Sequence, residues 1–161
     1  MLIVKWLIAF VVASIASGAF AVIFHAPQKE IIPAGIVGGF GWLVYIVLQY
    51  FGFTVPWACF VATIALAYVA RLFSYIRKCP ATIFLVSGIF PLAPGLGIYN
   101  TGYSLFMSAN NSKTFSLGLE TIAAAIAIAF GMGLVLSLPD ICFFVRKRKV
   151  NNETNNHNQG K

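Results

Sequence analysis

The chain has 161 residues, of which 60% are hydrophobic and only 9% charged, against about a quarter charged in a typical soluble domain. That composition excludes an ordinary soluble fold and defines an all-α integral membrane protein. The formal net charge of +7 does not indicate nucleic acid, because the basic residues flank apolar runs and form no stripe with exposed aromatics. Cys59, Cys79 and Cys142 stand far apart, without CxxC or Cys/His spacing, so neither a metal site nor a disulfide framework is expected.

The first apolar run, Val4 to Phe24, matches the roughly 20 residues a spanning helix needs. Ala9, Ala13, Ser17 and Ala21 recur every fourth position, which puts small side chains on one face and lets a neighbour approach. Met1 to Ala21 also has the outline of a signal peptide, with Ala19-Phe20-Ala21 as a cleavage motif. Its removal would invert the charge pattern given below, so the run is read as a retained span. The polar stretch His25 to Glu30 ends it, with Pro27 as breaker, and His25 is read as interfacial with a testable proton role.

The second run, Ile32 to Phe51, carries Gly35, Gly38, Gly39 and Gly41, a pattern for close helix packing or for lining a pathway. A short turn, Gly52 to Pro56, leads to the third run, Trp57 to Ile76. Arg71 near its end reads as a snorkelling residue.

The fourth run, Ala81 to Met107, is interrupted by Pro91, Pro94, Gly95 and Gly97. Each half, Ala81 to Phe90 and Gly97 to Met107, covers about half a membrane at 1.5 Å per residue, which puts the break over Pro91 to Gly97 near the midplane. Broken spans expose free backbone N–H groups on one half and free carbonyls on the other. Transporters place substrate and ion sites there. Tyr99 and Tyr103, and Asn100 and Ser104, are each four apart, so the second half offers aromatic and hydrogen-bonding groups. The candidate substrate-binding set is therefore Pro91, Pro94, Gly95, Gly97, Tyr99, Asn100 and Tyr103, with a packed proline kink as the alternative.

After a polar loop, Ser108 to Ser116, the fifth run extends from Leu117 to about Val145. Ala125, Ala129, Gly133 and Ser137 make one ridge and Ala123, Ala127 and Gly131 another, as in a helix packed on two sides. Glu120 is the proton-coupling candidate, since Asp140 has cationic neighbours. The transmembrane domain is assigned to residues 1–149, and the polar tail, 150–161, has nothing to bury and is expected to be disordered.

With five spans, Lys29, Arg71, Arg77, Lys78 and Arg146 to Lys149 share one side and only Lys5 and Lys113 the other. Eight against two places the amino terminus outside and the carboxyl terminus in the cytoplasm of an inner-membrane protein. There is no HExxH motif, no P-loop and no Ser/His/Asp set, which argues against an enzyme, and no cofactor or metal is expected.

From Phe24 to Pro139 the chain resembles the small-subunit type of the threonine/serine exporter family. The resemblance rests on Pro91-x-x-Pro94-Gly95-x-x-x-Tyr99, Phe24-x-x-Pro27, the glycines from Gly35 to Gly41, and Leu136-Ser137-Leu138-Pro139. Ala93 is smaller than the apolar residue expected at its place. The resemblance implies export of small hydroxy-amino acids, or in some two-component members of a dicarboxylate such as succinate, together with a larger membrane subunit. A non-transporting assembly subunit is the rival reading, and a homo-oligomer is compatible with either.

Overall fold

The computed structural model describes residues 2–107 and 111–137. The described chain is helical: α1 (Leu2–Ile23), α2 (Gln28–Tyr50), α3 (Val55–Arg77), α4 (Ala81–Ile89), a 3₁₀ turn (Phe90–Leu92), α5 (Gly95–Met107) and α6 (Asn111–Ser137). Taking α4 and α5 together, five helical segments of the described chain are long and apolar enough to cross a bilayer, as composition and periodicity predict. The carboxyl-terminal end of the expected fifth run, Pro139, Asp140, Cys142, the basic run and the tail lie outside the described residues.

Three turns solve the same problem in similar ways. The amide of Ala26 donates to the Ala21 carbonyl, that of Phe53 to Leu48 and that of Cys79 to Ser74, at 3.0, 3.2 and 3.3 Å. Each is a bond back across a residue in the left-handed region: His25 at φ 55°, Gly52 at φ 84° and Lys78 at φ 56°. Such endings satisfy carbonyls that a helix terminus leaves free. Pro27 and Pro80 follow two residues after His25 and Lys78 and serve as the N-caps of α2 and α4, so the sequences His25-Ala26-Pro27 and Lys78-Cys79-Pro80 act alike.

Two boundaries differ from the sequence expectation. Helix α2 starts at Gln28, so Lys29 and Glu30 belong to its first turn, where an acidic residue complements the helix dipole. Helix α6 starts at Asn111, so most of the supposed polar loop is helical. Polar side chains there bond locally: Ser116 Oγ donates to the Lys113 carbonyl at 2.9 Å, and Ser104 and Thr114 share a hydroxyl hydrogen bond of 2.7 Å.

Helix α2 is the centre of the bundle, touching α1, α3, α4 and the 3₁₀ turn, while α6 packs on α3 and on α5. The core is built mainly from small side chains. One cluster joins Ala21, Ala34, Val37, Leu66, Ala67, Ala70, Phe84, Leu85 and Val135. A second joins Cys59, Ala62, Leu92, Ala124 and Ile128. Because lipid is as apolar as a leucine side chain, close van der Waals contact between small residues replaces hydrophobic burial as the organising force. Large residues such as Leu7, Ile15, Ile32, Phe130 and Leu134 accordingly face outward.

The contact of α1 with α2 shows how close this packing is. A Cβ added at Gly35 would lie 2.8 Å from the Ser14 carbonyl oxygen, and one at Gly39 would lie 3.0 Å from the Phe10 carbonyl oxygen. At Gly38 it would collide with Ser17 on α1 and approach Gly88 Cα on α4 to 3.1 Å. Ala13, Ser17 and Ala21 from the predicted small-residue face are buried there, and the glycines of α2 thus act as packing surfaces.

Candidate functional site

The fourth span is interrupted as the prolines require, but over a shorter stretch than Pro91 to Gly97. Phe90 to Leu92 continue as a 3₁₀ turn, with the Ala93 amide donating to the Ile89 and Phe90 carbonyls at 3.0 and 3.2 Å. A proline tolerates the first positions of such a turn because its missing N–H is not needed there. Helical bonding resumes where the Ile98 amide donates to the Pro94 carbonyl at 3.0 Å. Gly95 and Gly97 are therefore inside α5 and are not part of a long coil. The Gly95 amide is engaged by the Ala93 carbonyl at 2.7 Å, which leaves the amides of Leu96 and Gly97 ahead of the first helical acceptor.

The two halves differ in their surroundings. Helix α4 is embedded, with Phe84, Leu85, Ser87 and Gly88 buried, and the Ser87 hydroxyl donates to the Ile83 carbonyl at 2.7 Å. The turn is anchored by Leu92 in the second core cluster and by Phe90, whose ring stacks on Phe20 at 4.1 Å between centroids. Helix α5 has no buried residue and packs on α6. Thr121 on α6 meets the first turn of α5, since a Cβ at Gly97 would lie 2.7 Å from Thr121 Oγ1.

The predicted site residues are consequently divided. Pro91 and Pro94 are half-buried beside the turn, and Gly95 is open, with nothing within 4 Å of an added Cβ. Gly97 is a contact point with α6. Tyr99 and Tyr103 stack at 6.3 Å between centroids but are 68% and 57% exposed, and Asn100 is exposed beside them. They share one helix with the break and have no wall opposite them among the described residues. A groove of about 380 Å³ lies on the other side of α5, lined by Thr101, Leu105, Thr114, Phe115, Leu119 and Ile122. None of the predicted residues lines it.

Glu120 is exposed on α6, one residue from Thr121 and one turn from Ala124, which packs with Leu92. Trp42 and Tyr45 of α2 pack against the same cluster as Ala124. Trp42 stands next to Tyr45, at 5.1 Å between ring centroids. The 3₁₀ turn, through Leu92, and an aromatic pair from α2 thus share the second core cluster with α6. Sequence reasoning singled out Glu120 and missed Trp42 and Tyr45, whose signal was two aromatics three apart in an apolar helix.

A second polar set lies at the opposite end of α2. Glu30 is 5% exposed and its Oε1 is 3.7 Å from Arg77 Nη1, while its Oε2 has no hydrogen-bond partner among the described residues. Arg71 ties α3 to the end of α6 by donating from Nη2 to the Leu136 carbonyl at 3.0 Å. The ridge Ala125, Ala129, Gly133 and Ser137 is exposed within this chain, so here α6 packs along the other line. The line that packs on α3 contains Ala124, Ile128, Gly131 and Val135, and Gly131 faces the Phe60 carbonyl and Thr63.

Five helical segments of the described chain long and apolar enough to cross a bilayer, the fourth interrupted at Pro91 and Pro94, define a multi-pass helical membrane protein. The chain belongs to the threonine/serine exporter family: the family described as "Threonine/Serine exporter, ThrE" matches residues 9–138. Over 124 residues it is 31% identical to a protein of Mycobacterium tuberculosis (strain ATCC 25618 / H37Rv) named "Probable threonine/serine exporter". That match covers 77% of this chain and 23% of the relative, so the chain spans less than a quarter of the relative's length. No solved structure matches. Family and spans together make the chain a multi-pass protein of the bacterial inner membrane.

Proposed function

We propose that the chain is one subunit of an exporter of threonine- or serine-like amino acids, and that substrate passes along the break between α4 and α5. The observation that carries this reading is the asymmetry of the fourth span in a member of this family: an anchored α4, a proline turn and an α5 with no buried residue. An unburied α5 supports a site completed by a second surface, since transporter sites lie between two repeats or bundles. A larger membrane subunit is the proposed source of that surface. Two features support it. The small-residue ridge Ala125, Ala129, Gly133 and Ser137 is open to a neighbour, and the relative has more than three quarters of its length beyond the matched stretch. Tyr99, Asn100 and Tyr103 would then face the pathway across that interface. The orientation proposed is amino terminus outside and carboxyl terminus cytoplasmic, from eight basic residues against two.

The test is Gly95→Leu. No atom lies within 4 Å of a Cβ there, so a side chain at this position starts into open space. With both subunits expressed, threonine and serine efflux from preloaded vesicles should fall at least tenfold while the assembly still co-purifies. Loss of co-purification would assign this surface to packing. Efflux of a dicarboxylate in place of amino acids would transfer the same pathway to the other substrate class.

A further inference from the structure

Glu30 is the third residue of α2, whose N-cap is Pro27. A glutamate at that position ordinarily turns back and accepts the amide proton of the N-cap residue. Pro27 has no amide proton, and its carbonyl is taken by the Glu30 amide at 2.7 Å. The carboxylate thus lacks the partner its own helix would give it. Glu30 is buried, and its Oε2 is closed to solvent without a hydrogen-bond partner among the described residues. Its Oε1 lies 3.7 Å from Arg77 Nη1 on α3, an ion pair too long for a hydrogen bond.

The neighbourhood is apolar. Ala34, one turn along α2, belongs to the first core cluster, and Ala26, Phe73, Cys79 and Ala81 pack against that cluster. A buried carboxylate with an unpaired oxygen is costly as an anion and calls for a ligand or a role. A proton is the ligand that reaches such an oxygen without opening the structure.

The other charged or titratable groups at this end of the described bundle are exposed or engaged elsewhere. Lys29 on α2, His25 in the turn before it, Tyr75 on α3 and Lys78 after α3 are exposed. Cys79 is half-buried, and Arg71 donates to the Leu136 carbonyl. Helix α4 carries no titratable side chain, and α1 carries Lys5 at its opposite end. On α6, Lys113 and Glu120 lie in the first half, away from Leu136.

We propose that Glu30 is a proton-binding site whose occupancy governs the contact between α2 and α3. As an anion Glu30 holds the Arg77 guanidinium and ties the start of α2 to the end of α3. A proton taken from water onto Oε2 makes the side chain neutral and cancels that attraction. Arg77, whose side chain is 44% exposed, then turns to solvent or lipid headgroups. The end of α3 leads through Lys78, Cys79 and Pro80 directly into α4, so release at Arg77 acts on the anchored half of the fourth span. Proton binding is thereby placed on a carboxylate other than Glu120, which is exposed on α6, and it holds whatever solute the protein carries.

The test measures the separation of α2 and α3 in the full chain in lipid vesicles. Spin labels are attached through Gln28→Cys and Ile76→Cys, both exposed positions, in a Cys79→Ala, Cys142→Ala background that leaves buried Cys59 unlabelled. On acidification from neutral pH the distance between the labels should lengthen, and it should return on neutralisation. Glu30→Gln, which fixes a neutral side chain, should show the lengthened distance at neutral pH and lose the response to acid. Arg77→Gln should also start from the lengthened distance, which guards against a local effect of the glutamine at position 30. His25→Asn should keep the full response. A response that persists in Glu30→Gln, or that disappears in His25→Asn, would overturn the proposal by placing the proton elsewhere. A wild-type distance that acid leaves unchanged, or that does not return, would overturn it as well. So would a Glu30→Gln distance equal to the wild type's at neutral pH, which would leave the ion pair no part in holding α2 to α3.

Discussion

Gly38→Ala is the most direct perturbation of the fold, because one methyl group enters a place where three helices meet. An added Cβ would collide with the Ser17 hydroxyl, lie 2.5 Å from Ser17 Cβ, and stand 3.1 Å from Gly88 Cα. Neither neighbour yields easily: Ser17 is fully buried and Gly88 offers backbone with no side chain to rotate away. Overpacking of this kind costs about 1–3 kcal/mol, and contact on two sides puts the expected value at about 2–3 kcal/mol. For a chain of this size that lowers the melting temperature by about 4–10 °C. The assay is thermal unfolding of the purified chain in detergent, with Gly133→Ala as control. Nothing lies within 4 Å of a Cβ at Gly133, so that variant should match the wild type or gain up to about 1 kcal/mol from helix propensity. Ser17→Gly removes both colliding atoms and should restore much of the loss in the Gly38→Ala background, a coupling of about 1–2 kcal/mol. A Gly38→Ala protein that melts with the wild type, or a double variant without recovery, would refute this account of the α1–α2–α4 crossing.

Other outcomes follow from local geometry. Gly97→Ala should loosen α5 from α6 and be relieved by Thr121→Ala, as read by protease sensitivity of the α5–α6 connection, since the clash is confined to the Thr121 side chain. Arg77→Ala should destabilise the protein more than Glu30→Gln does, because it leaves a buried carboxylate without its partner; partial exposure of Arg77 keeps the expected loss to about 1 kcal/mol. Lys78→Gly should raise the melting temperature, relieving a left-handed residue at φ 56° by about 1 kcal/mol. In a Cys142→Ala background, a membrane-impermeant maleimide should label half-buried Cys79 from the cytoplasmic side and leave buried Cys59 unmodified; labelling of Cys79 from outside would reverse the proposed orientation.

The fold was legible where chemistry is local. Apolar runs gave the spans, and Pro91 with Pro94 gave the interruption, because a missing N–H acts wherever proline stands. Small residues every fourth position gave a packing face on α1, and Ala13, Ser17 and Ala21 are buried there. On α6 the same rule marks the ridge Ala125, Ala129, Gly133 and Ser137, which is exposed within this chain. Periodicity reports that a face accepts a close neighbour, and it does not say whether that neighbour is in the same chain. Helix starts were misplaced for a related reason. Lys29, Glu30, Ser112 and Thr114 look like loop residues when polarity is the guide, yet helices continue past the hydrocarbon boundary into the interface. The packing of Trp42 and Tyr45 against the cluster that holds Leu92 was hidden because it joins helices that sequence alone leaves unpaired.

The exposed faces of α5 and α6 and the open space at Gly95 bear on one question, what the protein does with its broken span. If the interruption were only a kink, α5 would be expected to fold back on the bundle core as α4 does, since a buried kink satisfies its free backbone groups through neighbouring helices. Instead α4 buries four residues and α5 none. The contact that holds α5 is a seam with α6 made of Gly97 against Thr121 and the hydroxyl pair Ser104 and Thr114. The α1–α2 interface, by contrast, sets backbone carbonyls against glycines. Helix α5 is therefore joined to the rest of the described chain mainly through α6, and its exposed face is free for a solute at the break. A substrate that packs there would change the surroundings of Tyr99, which is 68% exposed. Quenching of a fluorophore attached at position 99 should therefore respond to threonine in the wild type and not in Gly95→Leu. A response that persists in Gly95→Leu would place the substrate path away from the break.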